Sequence, residues 1–261
     1  MAFLLPSSGT AEAPQLVPRT HNDYAYQALA AAELVSLTER DVYLAALPAE
    51  SHFAFGCPGI VGTLSVGGTV VLVENPDPAA CLPVIERERV TVTSLAPAAA
   101  RLWLDVLPTV RADVSSLRLV QVGGAPLPRA TAERVGRALG CRLQQVFGMA
   151  EGVLALTRPG DPDETVLTTQ GRPLSPDDEL RIVDTDGKDV PDGERGELLA
   201  RGPYTLRGYY RAPDHNARSF TADGYFRTGA FARRTPDGNL VVAAHPDDNP
   251  RRAENEDPSG P

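Results

Sequence analysis

The chain has 261 residues, 42% of them hydrophobic and 23% charged, the balance of a soluble globular protein with room for one large or two small domains. A formal net charge of -9 removes any overall drive toward nucleic acid or anionic lipid. No stretch approaches the length of a bilayer span, and the first six residues lack the basic start of a secretion signal. Cys57, Cys81 and Cys141 are odd in number and far apart, which fits neither a disulfide framework nor zinc spacing and points to a reducing cytoplasm.

In chain order, β-rich runs at 42–47, 69–73, 90–95, 117–122 and 141–146 alternate with helical patterns at 78–89, 97–107 and 128–139. That rhythm predicts parallel βαβ units, and each helical segment begins with a proline near its first turn. In the last of them Val135, Ala138 and Leu139 form the expected buried stripe, with Arg129, Glu133, Arg134 and Arg137 on the solvated face. After Glu151, Asp-Gly turns at 186–187, 223–224 and 237–238 separate short alternating runs and predict hairpins. The expected fold class is therefore α/β, with a parallel βαβ subdomain over 1–152 and a β-rich hairpin or barrel subdomain over 153–244. Residues 245–261 hold four prolines and five acids, so they are expected to form a disordered tail.

Glycine turns follow predicted strands at Gly67–Gly68, Gly123–Gly124 and Gly148, and ligands of open α/β sheets bind at such turns. Each glycine alone is equally a simple tight turn. The segment QQVFGMAEG, residues 144–152, adds an aromatic and a carboxylate directly after a strand. Phe147 could stack on an adenine ring and Glu151 could hold a magnesium ion.

With VGGA at 122–125, this segment resembles the adenine and metal motifs of the adenylate-forming superfamily, specifically its stand-alone aryl acid–AMP ligases. The run GELLARGPYTLRGYY at 196–210 resembles the next family motif, and RTHNDY at 19–24 resembles the stretch that follows the family's phosphate loop. Similarity runs from about Leu5 to Val242. The resemblance implies the core fold of those enzymes and an ATP-dependent conversion of a salicylate or dihydroxybenzoate to its acyl-adenylate, then captured by an aryl carrier protein for siderophore or nonribosomal peptide assembly. It assigns ATP or AMP to Ser8, Gly9, Thr10, Gly123, Gly124, Ala125, Phe147, Gly148, Met149 and Ala150, and magnesium to Glu151.

By the same resemblance His52, Cys57, Gly148 and Leu154 line the aryl pocket. Where amino-acid-activating relatives have an aspartate this chain has His52, which implies a carboxylic acid without an α-amine. A thiol at Cys57 and a bulky Leu154 resemble salicylate activators, because they leave neither room nor partner for a second ring hydroxyl. Ordinary core packing of Cys57 and Leu154 stays an equal reading, as does a merely hydrogen-bonded His52.

Several positions depart from the family pattern. The phosphate loop, SSGTAEAPQ at 7–15, carries Glu12 for a glycine and Gln15 for a lysine. A carboxylate about 5 Å from one phosphate charge costs roughly 3 kcal/mol at an effective dielectric near 20. Ala230 replaces the aspartate that accepts the ribose hydroxyls, Ser51 stands where the family has a histidine, although a one-residue shift could restore it through His52, and the family's first α/β portion and C-terminal lobe find no match. The one lysine, Lys188, falls in a predicted turn and takes no adenylation role. Three readings follow: a ligase completed by another polypeptide, a non-catalytic aryl acid or carrier-protein binder, and a truncated remnant.

Overall fold

The computed structural model describes residues 1–7 and 14–243. Ser8, Gly9, Thr10 and Glu12, and the tail expected over 245–261, lie outside the described residues. Strands β1 (Phe3–Pro6) and β2 (Leu16–Arg19) pair antiparallel, Phe3 opposite Arg19 and Pro6 opposite Leu16. The Ser7 amide donates to the Gln15 carbonyl at 2.8 Å, and the Gln15 amide donates to Ser7 Oγ at 2.9 Å. These two bonds hold Ser7 and Gln15 together.

Helix α1 (His21–Leu34) starts at a capping box. Thr20 Oγ1 accepts from the Asp23 amide at 3.1 Å, and Asp23 accepts from the Thr20 amide at 2.8 Å. Its inner face is Tyr24, Gln27, Ala28, Ala31 and Ala32, a 3–4 spacing whose small side chains let the helix lie close to the sheet. The pattern of alternating strands and helices read from residue 41 onward did not reach this helix.

The main sheet contains β3 (Val42–Ala45), β4 (Thr69–Leu72), β5 (Val92–Leu95), β6 (Leu119–Gly123), β7 (Arg142–Met149), β8 (Val153–Leu156) and β9 (Arg172–Pro173), in the order β4-β3-β5-β6-β7-β8-β9. The first five are parallel neighbours. Between them run α2 (His52–Gly56), α3 (Gly59–Ser65), α4 (Pro78–Glu88), α5 (Pro97–Val106) and α6 (Arg129–Leu139), with α7 (Asp163–Thr168) between β8 and β9. Leu44, Leu82, Ile85, Trp103, Val120, Val122 and Val135 fill one face under α4, α5 and α6. Tyr43, Ala45, Val92 and Leu119 pack with Ala32 and Val35 of the α1 side on the other. On α6 the buried residues are Ala132, Val135 and Leu139. Ala138 is exposed, because a stripe at spacing three and four selects 132, 135 and 139 and rotates 138 outward.

The division expected after residue 152 falls inside a β-hairpin. β8 pairs antiparallel with β7, Leu154 opposite Gly148, and β9 pairs with β8, so the main sheet continues to Pro173. The second sheet is β10 (Glu179–Val183), β11 (Arg195–Arg201), β12 (Phe226–Arg234) and β13 (Leu240–Val242), antiparallel in sequential order, with α8 (Pro213–Ser219) before β12. The Asp237–Gly238 turn joins a true hairpin, whereas the other two Asp-Gly turns close single bridges, Val183 to Asp189 and Phe220 to Phe226.

A half-buried carboxyl lies in the segment that leads from β9 to β10. Tyr204 donates its hydroxyl to Asp178, which also accepts from the Ser175 amide at 3.0 Å. Burial pushes the Asp178 carboxyl from its ordinary 3.8 up to about 6. The folded chain then holds this proton more firmly than the unfolded chain, so the contribution is intact at low pH and is lost as pH rises from about 4 to about 6. Asp178→Asn should stabilise the protein by roughly 2 kcal/mol at neutral pH and leave it unchanged near pH 4. Urea unfolding at both pH values measures this, and equal effects at the two would refute it.

Candidate functional site

Of the glycine turns expected to carry a ligand, Gly123–Gly124 and Gly148 lie at the carboxyl ends of β6 and β7, whereas Gly67–Gly68 does not follow a strand but leads from α3 into the amino end of β4, at the other end of the parallel sheet. Gly123 pairs with Val146 across these strands. A Cβ at 123 would lie 2.6 Å from the Val146 carbonyl and 3.2 Å from the Phe53 ring, so only glycine permits this approach. Gly124 and Ala125 are exposed at the mouth, and Gly148 and Met149 are half-buried beside it. Phe147 lies on the opposite face of β7 from Val146. Its half-buried ring packs against Ala155, Ile182, Leu198, Ala232 and Leu240, between the two sheets.

Cys57 and Leu154 come together in one buried cluster with Val146, Leu156, Ala31 and Tyr204, and half-buried Phe53 packs on it. Both are about 1% exposed, so the half-buried His52, Phe53 and Gly148 mark the open side of this cluster. A polar row under it holds the Cys57 segment in place. Ser94 donates to Gln121 Oε1 at 2.9 Å, and Gln121 Nε2 donates to the Cys57 carbonyl at 3.0 Å and to Gln144 Oε1 at 2.8 Å. Gln144 in turn donates to the Thr157 carbonyl at 2.7 Å. Every member is buried and paired, as a polar row inside a sheet face must be.

Ser51 is the N-cap of α2, its Oγ accepting from the Ala54 amide at 3.2 Å. The histidine is thereby placed at the first helical position. His52 Nδ1 lies 3.2 Å from the Tyr24 hydroxyl, and its Nε2 lies 3.3 Å from Gln27 Nε2 and 3.5 Å from Cys57 Sγ. Burial, with the charge of Arg19 adding to it, pushes His52 down to about 3. Burial pushes the Cys57 thiol up to about 12. The wall is therefore uncharged at neutral pH.

Arg19 is the charged residue at the centre of the arrangement and is fully buried. Its guanidinium donates to Asp23 at 2.9 Å, to the Ala150 carbonyl at 2.8 Å and to Gln27 Oε1 at 3.1 Å, and lies 4.8 Å over the Tyr24 ring. The bond to Ala150 ties the turn after β7 to β2. Next in that turn, Glu151 accepts from the Tyr209 hydroxyl at 3.0 Å, while its second oxygen is buried with no partner. Burial raises its carboxyl above the ordinary range. A magnesium ion held mainly by phosphates and water asks one or two carboxylates of its protein, and this orphan oxygen fits that demand. Among the described residues no cluster of three or more acidic, histidine or cysteine ligands exists. Arg19, Tyr24, Gln27 and Tyr209 were not singled out as site residues in the sequence, although a glutamine on an alanine face of a helix is a readable signal of a buried polar role.

The AMP-binding enzyme family's profile matches residues 1–210. The chain belongs to the AMP-binding enzyme family. Among curated relatives, Pyochelin synthase PchD of Pseudomonas aeruginosa is 54% identical over 246 residues, 94% of this chain and 45% of that protein. A salicyl-AMP ligase / salicyl-S-ArCP synthetase of Mycobacterium tuberculosis is 53% identical over 241 residues, 92% of this chain and 43% of that protein. This AMP-binding chain thus spans a little under half the length of the curated relatives it matches. The apo MbtA structure from Mycobacterium smegmatis superposes with a TM-score of 0.88 at 52% identity, over 93% of this chain and 46% of that one. The Bacillus subtilis O-succinylbenzoate Coenzyme A Synthetase, solved with ATP and magnesium ion, gives 0.78 at 28% identity, over 92% of this chain and 49% of that one. The resemblance to aryl acid–AMP ligases and the α/β architecture expected from the sequence both stand.

Ala230 lies on a β-bulge of this AMP-binding fold. The register of β12 against β11 shifts between Glu197 and Leu199, Gly229 has φ +70, and Thr228 Oγ1 both donates to the Leu198 carbonyl and accepts from the Ala230 amide. Bulges re-aim side chains, and the half-exposed residue aimed here is an alanine. Lys188 is exposed in the turn after β10, paired with Asp186 at 3.8 Å.

Proposed function

We propose that this chain is the nucleotide-facing and aryl-acid-facing part of an aryl acid–AMP ligase of siderophore assembly, with a salicylate-like acid as substrate. The observation that carries the reading is the convergence of Cys57 and Leu154 into one cluster whose open side meets Gly123 and Gly148. In the reaction a carboxylate oxygen of the acid forms a bond to the α-phosphorus of ATP as the bond to pyrophosphate breaks. A carrier-protein thiol then takes the acyl group and AMP leaves. Positioning and charge neutralisation supply most of such catalysis.

Each residue has a part in that reading. Gly123, Gly124 and Ala125 and the turn at Gly148, Met149 and Ala150 border the nucleotide, with Phe147 beside the adenine. His52, Cys57, Gly148 and Leu154 surround the aromatic ring. Glu151 would hold magnesium, which supplies neutralisation of phosphate charge when bound. Arg19 keeps the turn after β7 in register with β2. ATP and an aryl carrier protein, both cytoplasmic, are the partners. Among the described residues no helix is long and apolar enough to cross a membrane.

Calorimetric titration with salicylate and 2,3-dihydroxybenzoate tests this reading. Salicylate should bind about tenfold tighter, because a second hydroxyl would meet Cys57 and Leu154 without a partner. Cys57→Ser should narrow that gap. Flat titrations with both acids would overturn the aryl-acid reading. Ala230 favours a second reading, binding without turnover, in which salicylate binds but drives no ATP–pyrophosphate exchange.

A further inference from the structure

The side-chain amide of Gln27 is fully buried on a face of α1 otherwise made of Tyr24 and alanines. Its orientation is unambiguous. Oε1 accepts from Arg19, which has only donors, and Nε2 donates at 2.9 Å to the Gly56 carbonyl, which has none. Reversing the amide would set donor against donor at one end and acceptor against acceptor at the other.

That fixed donor also faces His52 Nε2 at 3.3 Å. Cys57 Sγ lies 3.6 Å from the same amide nitrogen and 3.5 Å from His52 Nε2, but a thiol sulfur is a weaker acceptor than an imidazole nitrogen, so the second amide hydrogen is assigned to Nε2, which is then the ring nitrogen without a proton. The neutral ring then carries its hydrogen on Nδ1 and donates to the Tyr24 hydroxyl oxygen, 3.2 Å away. A directional relay results, running from Arg19 through Gln27 to His52 and on to Tyr24.

We propose that Gln27 is a positioning residue that locks His52 as the neutral Nδ1–H tautomer, so that the wall beside Cys57 and Leu154 presents an uncharged imidazole to its ligand. The charged and titratable groups around the ring agree with this. Arg19 approaches from β2 and opposes a second positive charge. Tyr24 from α1 and Cys57 at the end of α2 stay neutral, with burial raising both. Asp23 and Glu151 lie beside Arg19. An aryl acid in this place is held by packing and shape without an imidazolium counter-charge. The identity of the ligand rests on the proposed function, whereas the lock itself does not.

Nitrogen-15 NMR of the full chain, with the His52 signals assigned by their loss in His52→Asn, tests the lock without any ligand. The parent should show His52 as Nδ1–H, unchanged between about pH 5 and about pH 8. Gln27→Glu replaces the donor with an acceptor, so Nε2 should gain a proton and the ring should titrate at or above neutrality. Gln27→Met, close in volume, should release the lock and give a mixture of tautomers. An Nε2–H ring in the parent, titration of the parent within that range, or an unaltered Nδ1–H ring in Gln27→Met would each overturn the assignment.

A second arm reads the consequence. Salicylate affinity of the parent should vary less than about twofold between pH 5.5 and 8, while in Gln27→Glu it should change by about fivefold or more as the ring titrates. An equally flat profile in Gln27→Glu would overturn the positioning role. No salicylate binding to the parent, alongside the expected tautomer, would sink the aryl-acid reading and uphold the lock.

Discussion

Replacing Arg19 with methionine should destabilise the fold by about 3 kcal/mol or more, because it strips several buried acceptors of their donor at once. The side chain is about 1% exposed and reaches Asp23, the Ala150 carbonyl and Gln27 Oε1. Asp23 keeps bonds from the Thr20 amide and hydroxyl, so its loss is partial. The Ala150 carbonyl and Gln27 Oε1 are buried and would stand unsatisfied, at about 1–3 kcal/mol each. Methionine retains most of the packing volume, which isolates the polar loss from a cavity. Arg19→Lys should recover only part of the stability, since one ammonium lacks the planar fork that spans three elements. Denaturant midpoints for the three proteins measure the effect. A methionine variant within about 0.5 kcal/mol of the parent would show that these bonds do not hold β2 to the turn after β7.

Ala230→Asp is expected to tighten AMP binding by about tenfold, and up to several hundredfold if both ribose hydroxyls are engaged, since a hydrogen bond to a charged group contributes about 1.5–3 kcal/mol. The backbone is already shaped for it. Gly229 at φ +70 and the Thr228 bonds to Leu198 and the Ala230 amide form the bulge, so the new carboxylate would need no rearrangement. Its half-exposed position keeps the desolvation cost small. Calorimetry of AMP against parent and variant is the measurement, with urea unfolding as a control that the fold is unchanged. Equal affinities would place the ribose elsewhere or exclude the nucleotide from this mouth.

The parallel βαβ rhythm was legible because its signals are local. Pro78 and Pro97 take the first position of α4 and α5, where a missing amide hydrogen costs nothing, and the strands between them are short apolar runs. The stripe of α6 was read with Ala138 in place of Ala132, an error of phase along a correct helix. The segment β8, Val-Leu-Ala-Leu at 153–156, was assigned to the second half because its antiparallel return on β7 is a pairing choice, and an apolar run carries no mark of which neighbour it will take. Helix α1 went unread because its buried face is mostly alanine, which shows little contrast between apolar and polar sides.

The sequence by itself determined the family, the alternation of strands and helices, and the departures at Gln15, Ser51 and Ala230, since each of these is written in residue identity or in spacing along a few turns. Only the tertiary structure decided that Cys57 meets Leu154, that Arg19 ties β2 to Ala150, that Gln27 dictates the tautomer of His52, and that residue 230 sits on a bulge. Those contacts join elements tens to more than a hundred residues apart. Close packing selects them, and close packing depends on how whole elements fill space, which no short window of sequence records.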